Sequence, residues 1–135
     1  MSAASTSRAA CTYADLLSLF RLTRAHLYLT YPFVLSWSML DAMACGAPSW
    51  APPHRPVQEV IQDGVNGRLT DFFNPEAIAE NLAAMLADPE AQAPLKAAAR
   101  RHVETHYDLH KICLPRQMAL LDAIANGQPA PSFHG

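Results

Sequence analysis

Two short apolar runs with β-prone residues, His26–Thr30 and Ala47–Ala51, bracket a segment that reads as loop, helix start, helix and stop in direct succession. Ser36 is of the type that caps a helix N-terminus, and Met39, Leu40, Ala42, Met43 and Ala44 give the following turns an apolar side. Gly46 then supplies the left-handed conformation that ends a helix. Strands joined through a helix pair in parallel, so this unit commits the chain to a parallel sheet. The loop Tyr31 to Leu35 then lies at the carboxyl end of a strand, where open α/β sheets take their ligands. The first amides of the helix lack partners inside it and favour an anion there.

The rest of the chain repeats the alternation. Thr12 and Asp15 have capping-box spacing ahead of Leu16, Leu17, Leu19 and Phe20, which predicts a helix over Tyr13–Leu22. Ala47–Ala51 ends at Pro52-Pro53, which cannot continue a ladder. Val57–Gln62 is expected to make one or two helical turns. Asp63-Gly64 and Asn66-Gly67 are turn signals, with Gly64 and Gly67 structural, and Arg68–Asp71 is a third strand. Asn74 with Pro75 opens a helix to about Ala87. Asp88-Pro89-Glu90 opens another to about His106, with a bend or reset expected at Pro94. Asp108 caps a final stretch to Ala125, in which Pro115 predicts a kink or restart and Gly127 the close. The expected class is α/β: a partial Rossmann-like parallel sheet of about three strands with flanking helices and a helical C-terminal third. Residues 1–10 are expected to be a disordered start, 11–127 the folded unit and 128–135 a flexible tail.

Composition narrows the partners. At 135 residues the chain is one small domain at most. Charged residues make up 16% and the net charge is -2, so there is no electrostatic case for a nucleic-acid partner. No apolar run reaches the length of a membrane span, and a secretory leader is not seen, so a cytoplasmic location is expected. Cys11, Cys45 and Cys113 lack paired metal-ligand spacing and are read as reduced thiols.

The stretch Leu29–Pro48 resembles the donor-binding motif of retaining, nucleotide-sugar-dependent glycosyltransferases of the group 1 family. The resemblance continues through Pro56–Gly67, similar to that family's Pro-x-Glu block with its Gly-x-x-Gly end, and through Asn74–Leu82, similar to the Asn-Pro-Glu-Ala helix that follows. In the family an acidic residue precedes the donor helix and meets the transferred sugar. Backbone amides just after it meet the diphosphate, and a second acid holds the ribose hydroxyls. These positions fall on Phe33, on Val34, Leu35, Ser36 and Trp37, and on Asp41. The first acid is thus replaced by an aromatic ring, and the two glycines that usually flank an aromatic residue are Val34 and Ser36 here. Asp41 has a second reading as a first-turn acid favoured by the helix dipole, and Phe33 as a plain loop anchor.

Other candidates carry less chemistry. Glu59 matches the acid of the Pro-x-Glu block and is read first as a helix-terminal acid that satisfies backbone donors. His102, His106 and His110 recur at helical spacing, but Tyr107-Asp108 reads as a helix break that removes His110 from the row, so no metal site is assigned. His54, Arg55 and Arg68 could approach a phosphate and are read first as exposed loop charges, and Lys96, Arg100, Arg101 and Lys111 are read as a solvated basic face.

The resemblance implies the C-terminal part of a nucleotide-sugar-binding domain of the two-domain GT-B arrangement. Its donor would be a UDP- or GDP-type sugar, bound as substrate and without a cofactor or metal. Strand order 3-2-1-4-5-6 would pair His26–Thr30 with a strand not found in this sequence, leaving an edge open to self-association or to a missing N-terminal half. The alternative is a truncated, non-catalytic relative acting as an interaction module or inactive.

Overall fold

The computed structural model describes residues 11–31 and 34–133. The expected disordered start at residues 1–10 lies outside the described residues, as do Pro32, Phe33, His134 and Gly135.

Helix α1, Tyr13–Leu22, begins at a complete capping box: Thr12 Oγ1 accepts the Asp15 N–H at 3.2 Å and Asp15 Oδ2 accepts the Thr12 N–H at 3.3 Å. Strands β1 (His26–Leu27), β2 (Ser49–Ala51) and β3 (Arg68–Leu69) form one parallel sheet in the order β1-β2-β3. His26 lies opposite Ser49, and Trp50 opposite both Leu27 and Arg68. Among the described residues β1 pairs with β2 alone, so it lies at an edge of the sheet. The strands are shorter than their apolar runs predict. The Tyr28 N–H still reaches the Trp50 carbonyl at 2.8 Å, but β2 then enters Pro52-Pro53, which offers no N–H to Leu29 or Thr30.

Helix α2 (Trp37–Ala44) joins β1 to β2, and Gly46 at φ +73° turns the chain back into the sheet. Met39 and Met43 of α2 pack with Tyr28, Ala51, Val57, Val60, Ile61 and Ala99 in the main core. A second cluster, Phe20, Ala42 and Ala47, fastens α1 to α2. Helix α3 (Arg55–Gln58) is a single turn. Helix α4 (Pro75–Ala87) has the predicted bounds and cap, with Asn74 Oδ1 accepting the Ala77 N–H at 3.0 Å.

Two proline expectations resolve differently. Pro94 does not bend a helix running from Pro89. It sits in the first turn of α5 (Ala93–His106), where a missing N–H has no helical partner to lose, while Asp88 Oδ1 holds a separate turn through the Ala91 N–H at 3.0 Å. Pro115 likewise lies in the first turn of α6 (Leu114–Ala125), which follows a π-helical turn over Leu109–Cys113. The wider turn sends the Leu114 N–H to the Leu109 carbonyl, so the ring of Pro115 is accommodated without breaking the chain's helical course. Asp108 opens that turn by accepting the His110 and Lys111 N–H groups at 3.0 and 2.8 Å. These bonds, the one from Lys111 foremost, hold its carboxyl below the usual carboxylate range. Residues 128–133 carry neither helix nor strand.

His26 makes this fold sensitive to pH. Its ring meets Phe20 edge-on at 5.1 Å, its Nδ1 lies 3.3 Å from Ser49 Oγ, and burial pushes its pKa below the ordinary histidine value. His102 shifts the same way, through burial and then the neighbouring His106. The unfolded chain therefore binds more protons than the folded one as pH drops below about 6.5, and stability falls through that window. Urea unfolding at about pH 7.5 and about pH 5 should show the loss. His26→Gln should flatten it, and an unchanged slope in that variant would remove His26 as a cause.

Candidate functional site

The N-terminus of α2 is built as the sequence predicts, with one qualification. Ser36 Oγ accepts the Ser38 N–H at 3.3 Å and lies 2.9 Å from Ser38 Oγ. The Ser36 N–H, however, donates to Tyr28 Oη at 3.0 Å, and the Met39 N–H to the Ser36 carbonyl at 3.2 Å. An anion here would therefore compete with side-chain caps for Ser36 and Ser38. The bond from the Ser36 amide to the Tyr28 hydroxyl has no local sequence signal, because the two residues stand eight positions apart.

A groove of about 450 Å³ runs from this helix end to α5, lined among others by Leu35, Trp37, Leu40, Asp41, Val103 and Tyr107. It brings together three of the predicted site residues: Leu35, which packs on the main core, Trp37, which is 84% exposed, and the half-buried Asp41. Val34 is exposed. Phe33 lies outside the described residues, so only its neighbours place that loop. Tyr107, on the far side of the groove, has its hydroxyl pKa raised by burial first and then by the charge of Glu59 and by Cys113.

Asp41 also borders a second cavity of about 320 Å³, with Tyr13, Arg21, Cys45 and Arg100. Asp41 Oδ1 accepts the Tyr13 hydroxyl at 3.0 Å, and that bond raises the Tyr13 pKa. Arg100 reaches Glu104 at 2.8 Å on an exposed helix face, as expected for a solvated charge, yet it lines this cavity too. The Tyr13 and Arg21 contributions were missed because they come from α1, and only the packing of α1 on α2 brings them to Asp41. A helical-wheel alignment of Tyr13, Leu17 and Arg21 on one face is the signal that was available.

The remaining candidates separate. Glu59 is the C-cap of α3, where free carbonyls and not N–H groups gather, so its expected role on backbone donors is corrected. His102 and His106 stack at 4.4 Å, while His110 falls in the π-helical turn beyond the break at Tyr107. His54 turns out to be half-buried, not a free loop charge.

The model of the family described as Glycosyl transferases group 1 matches residues 14–102, which include α2, both turn glycines and all of α4. The chain belongs to that family. A D-inositol 3-phosphate glycosyltransferase of Thermobispora bispora is 38% identical over 63 residues, 47% of this chain and 15% of that protein. A D-inositol 3-phosphate glycosyltransferase of Xylanimonas cellulosilytica is 43% identical over 60 residues, 44% of this chain and 14% of that protein. The chain therefore matches about one seventh of the length of each relative. For this group 1 glycosyltransferase chain no helix among the described residues is long and apolar enough to cross a membrane.

Proposed function

We propose that the chain forms part of the nucleotide-sugar site of a retaining glycosyltransferase, with the first turn of α2 toward the donor diphosphate and Asp41 toward the ribose hydroxyls. The observation that carries this is the groove shared by Leu35, Trp37 and Asp41, which joins the helix start to a carboxylate one turn along the same helix. The positive end of α2 favours the phosphate charge, and Leu35 gives the groove an apolar wall beside it. A carboxylate has two oxygens, each able to accept a hydroxyl proton, so Asp41 can hold a vicinal diol once the Tyr13 hydroxyl yields or shares Oδ1. In the reaction so supported, the bond between the anomeric carbon and the diphosphate oxygen breaks, an acceptor oxygen takes its place on the same face and the acceptor proton is released. The site's part is to hold the donor in line and to stabilise charge developing on the leaving diphosphate. Donors of the UDP or GDP type fit the family, and the acceptor groups are proposed to come from a second domain.

Calorimetry with UDP and GDP tests the assignment. Asp41→Ala is expected to weaken both by about 1.5–3 kcal/mol, the value of a hydrogen bond to a charged group, and to leave their 2′,3′-dideoxy analogues almost unaffected. Equal weakening of ribo and dideoxy forms would reduce Asp41 to an anchor for Tyr13. Tyr13→Phe separates the two roles, since it removes the anchor and keeps the carboxylate.

A further inference from the structure

Asp41 stands where two openings meet. Of the residues of α2, Asp41 and Ala44 line both the groove toward α5 and the cavity toward α1. The carboxylate is therefore part of the wall between them, and its two oxygens are free to serve different sides. Oδ1 is committed to α1, where it accepts the Tyr13 hydroxyl at 3.0 Å. That bond takes one of about four lone-pair positions on the group, and among the described residues Oδ2 receives no protein donor.

The donor is held by its own helix. The capping box of Thr12 and Asp15 fixes the turn that carries Tyr13, and one to two turns on, Leu16, Leu17 and Phe20 pack with Ala42 and Cys45. Tyr13 adds little to that packing, since its ring is 61% exposed and belongs to neither core cluster. Its hydroxyl is the part that acts. Two arginines compete for the same carboxylate: Arg21 and Arg100 line the α1 cavity, and a guanidinium pairs most strongly with both carboxylate oxygens at once. Such a fork would turn both oxygens of Asp41 away from the groove. Among the described residues neither arginine pairs with Asp41, and Arg100 bonds Glu104 at 2.8 Å. The bond to Asp41 also raises the Tyr13 pKa, so the phenol stays protonated and donating at neutral pH.

We infer that Tyr13 is a positioning residue of the nucleotide site: its hydroxyl anchors Oδ1 of Asp41 toward α1 and so presents Oδ2 to the ribose hydroxyls in the groove. Tyr13 has this role only if Asp41 meets the ribose as proposed above. It touches no donor atom and acts through Asp41, by removing the carboxylate's freedom to turn before the nucleotide arrives. The ribose shares the carboxylate with Tyr13 and does not displace it.

Calorimetry on the full chain tests this with UDP, GDP and their 2′,3′-dideoxy analogues, in the wild type, Asp41→Ala and Tyr13→Phe. The wild type is expected to prefer the ribo forms and Asp41→Ala to abolish the preference. Tyr13→Phe should narrow it by about three- to tenfold and leave the dideoxy affinities unchanged. Circular dichroism should show that variant folded, since it keeps an exposed ring. NMR of the chain labelled at tyrosine Cζ gives a readout that a merely structural contact would not move. The Tyr13 signal, assigned by its loss in Tyr13→Phe, should shift with UDP and stay in place with dideoxy-UDP. A signal that answers both nucleotides alike, or neither, overturns the role of Tyr13. So does a ribo preference that Asp41→Ala abolishes and Tyr13→Phe leaves unchanged, and the assignment of Asp41 then stands. A preference that widens in Tyr13→Phe overturns the role as well, because Tyr13 would then be competing with the ribose. Equal ribo and dideoxy affinities in the wild type, or a preference untouched by Asp41→Ala, overturn the assignment of Asp41 and the role of Tyr13 with it.

Discussion

Trp50→Ala is expected to destabilise the protein by about 3–5 kcal/mol, the range found when a large buried aromatic is truncated. Trp50 is fully buried in the central strand and its backbone pairs on both sides, with Leu27 and with Arg68. Its side chain leaves the sheet on the face opposite that of Ser49 and Ala51, because successive strand residues alternate. A domain of this size is stable by only about 5–15 kcal/mol, so the variant should lose much of its cooperative unfolding transition at 37 °C. Among the described residues the buried indole Nε1 has no hydrogen-bond partner, which makes a second variant informative. Trp50→Phe removes that buried donor while keeping a ring, and should cost clearly less than alanine. Urea unfolding followed by far-ultraviolet circular dichroism measures both, and equal losses for the two substitutions would mean that ring volume is not what Trp50 contributes.

The fold was legible where local chemistry and periodicity agreed. Thr12 and Asp15 announced α1, Ser36 and Gly46 bounded α2, and Asn74 with Pro75 opened α4, because each of these residues acts on backbone groups within a few positions of itself. The prolines were harder. Pro94 and Pro115 lack an N–H wherever they stand, and the sequence does not say whether a helix passes through them or begins at them. A helix begins at Pro94, whereas at Pro115 the chain passes straight from a π-helical turn, which no local propensity encodes, into α6. Strand lengths were overestimated for a related reason. An apolar run marks burial, but a ladder also needs a partner with N–H groups, and Pro52-Pro53 withholds them.

The candidate site divides along the same line. The α2 cap and Asp41 follow from one contiguous stretch, and the groove places Leu35, Trp37 and Asp41 together as that stretch implies. What decides their electrostatics comes from elsewhere in the chain. Tyr28 takes the Ser36 amide across eight positions, and Tyr13 takes Asp41 across twenty-eight. His54 is the sharper case, since beside Pro53 and Arg55 it reads as a loop charge. Only the sheet brings it into one cavity with Thr30, which follows β1, and with Asp71 to Phe73, which follow β3. Family resemblance suggested candidate residues on α2 because the motif is local, and it was silent on His54, whose neighbours come from three separate loops.

Asn66→Ala is the second substitution with a large expected cost, about 2–6 kcal/mol. Asn66 is 3% exposed and uses both ends of its amide: Oδ1 accepts the Gln62 N–H at 2.8 Å and Nδ2 donates to the Val60 carbonyl at 2.9 Å. Removing it leaves two backbone groups unpaired, at about 1–3 kcal/mol for each that stays buried. The turn it holds is tight. Gly64 sits at φ +74° with its N–H on the Gly67 carbonyl at 2.8 Å, and a Cβ at Gly67 would come within 2.8 Å of Ile61. Asp63 Oδ1 then accepts the Leu69 N–H at 2.8 Å, so the turn fixes where β3 starts. Since β3 leads directly into Asp71, Phe72 and Phe73, a loosened turn should also blur the cleft at the strand ends. Native-state hydrogen exchange is the direct measurement: in Asn66→Ala the Gln62 and Leu69 amides should lose protection while those of α4 lose only what the global destabilisation dictates. Protection lost evenly through the chain would show that Asn66 stabilises the domain without holding the turn in particular.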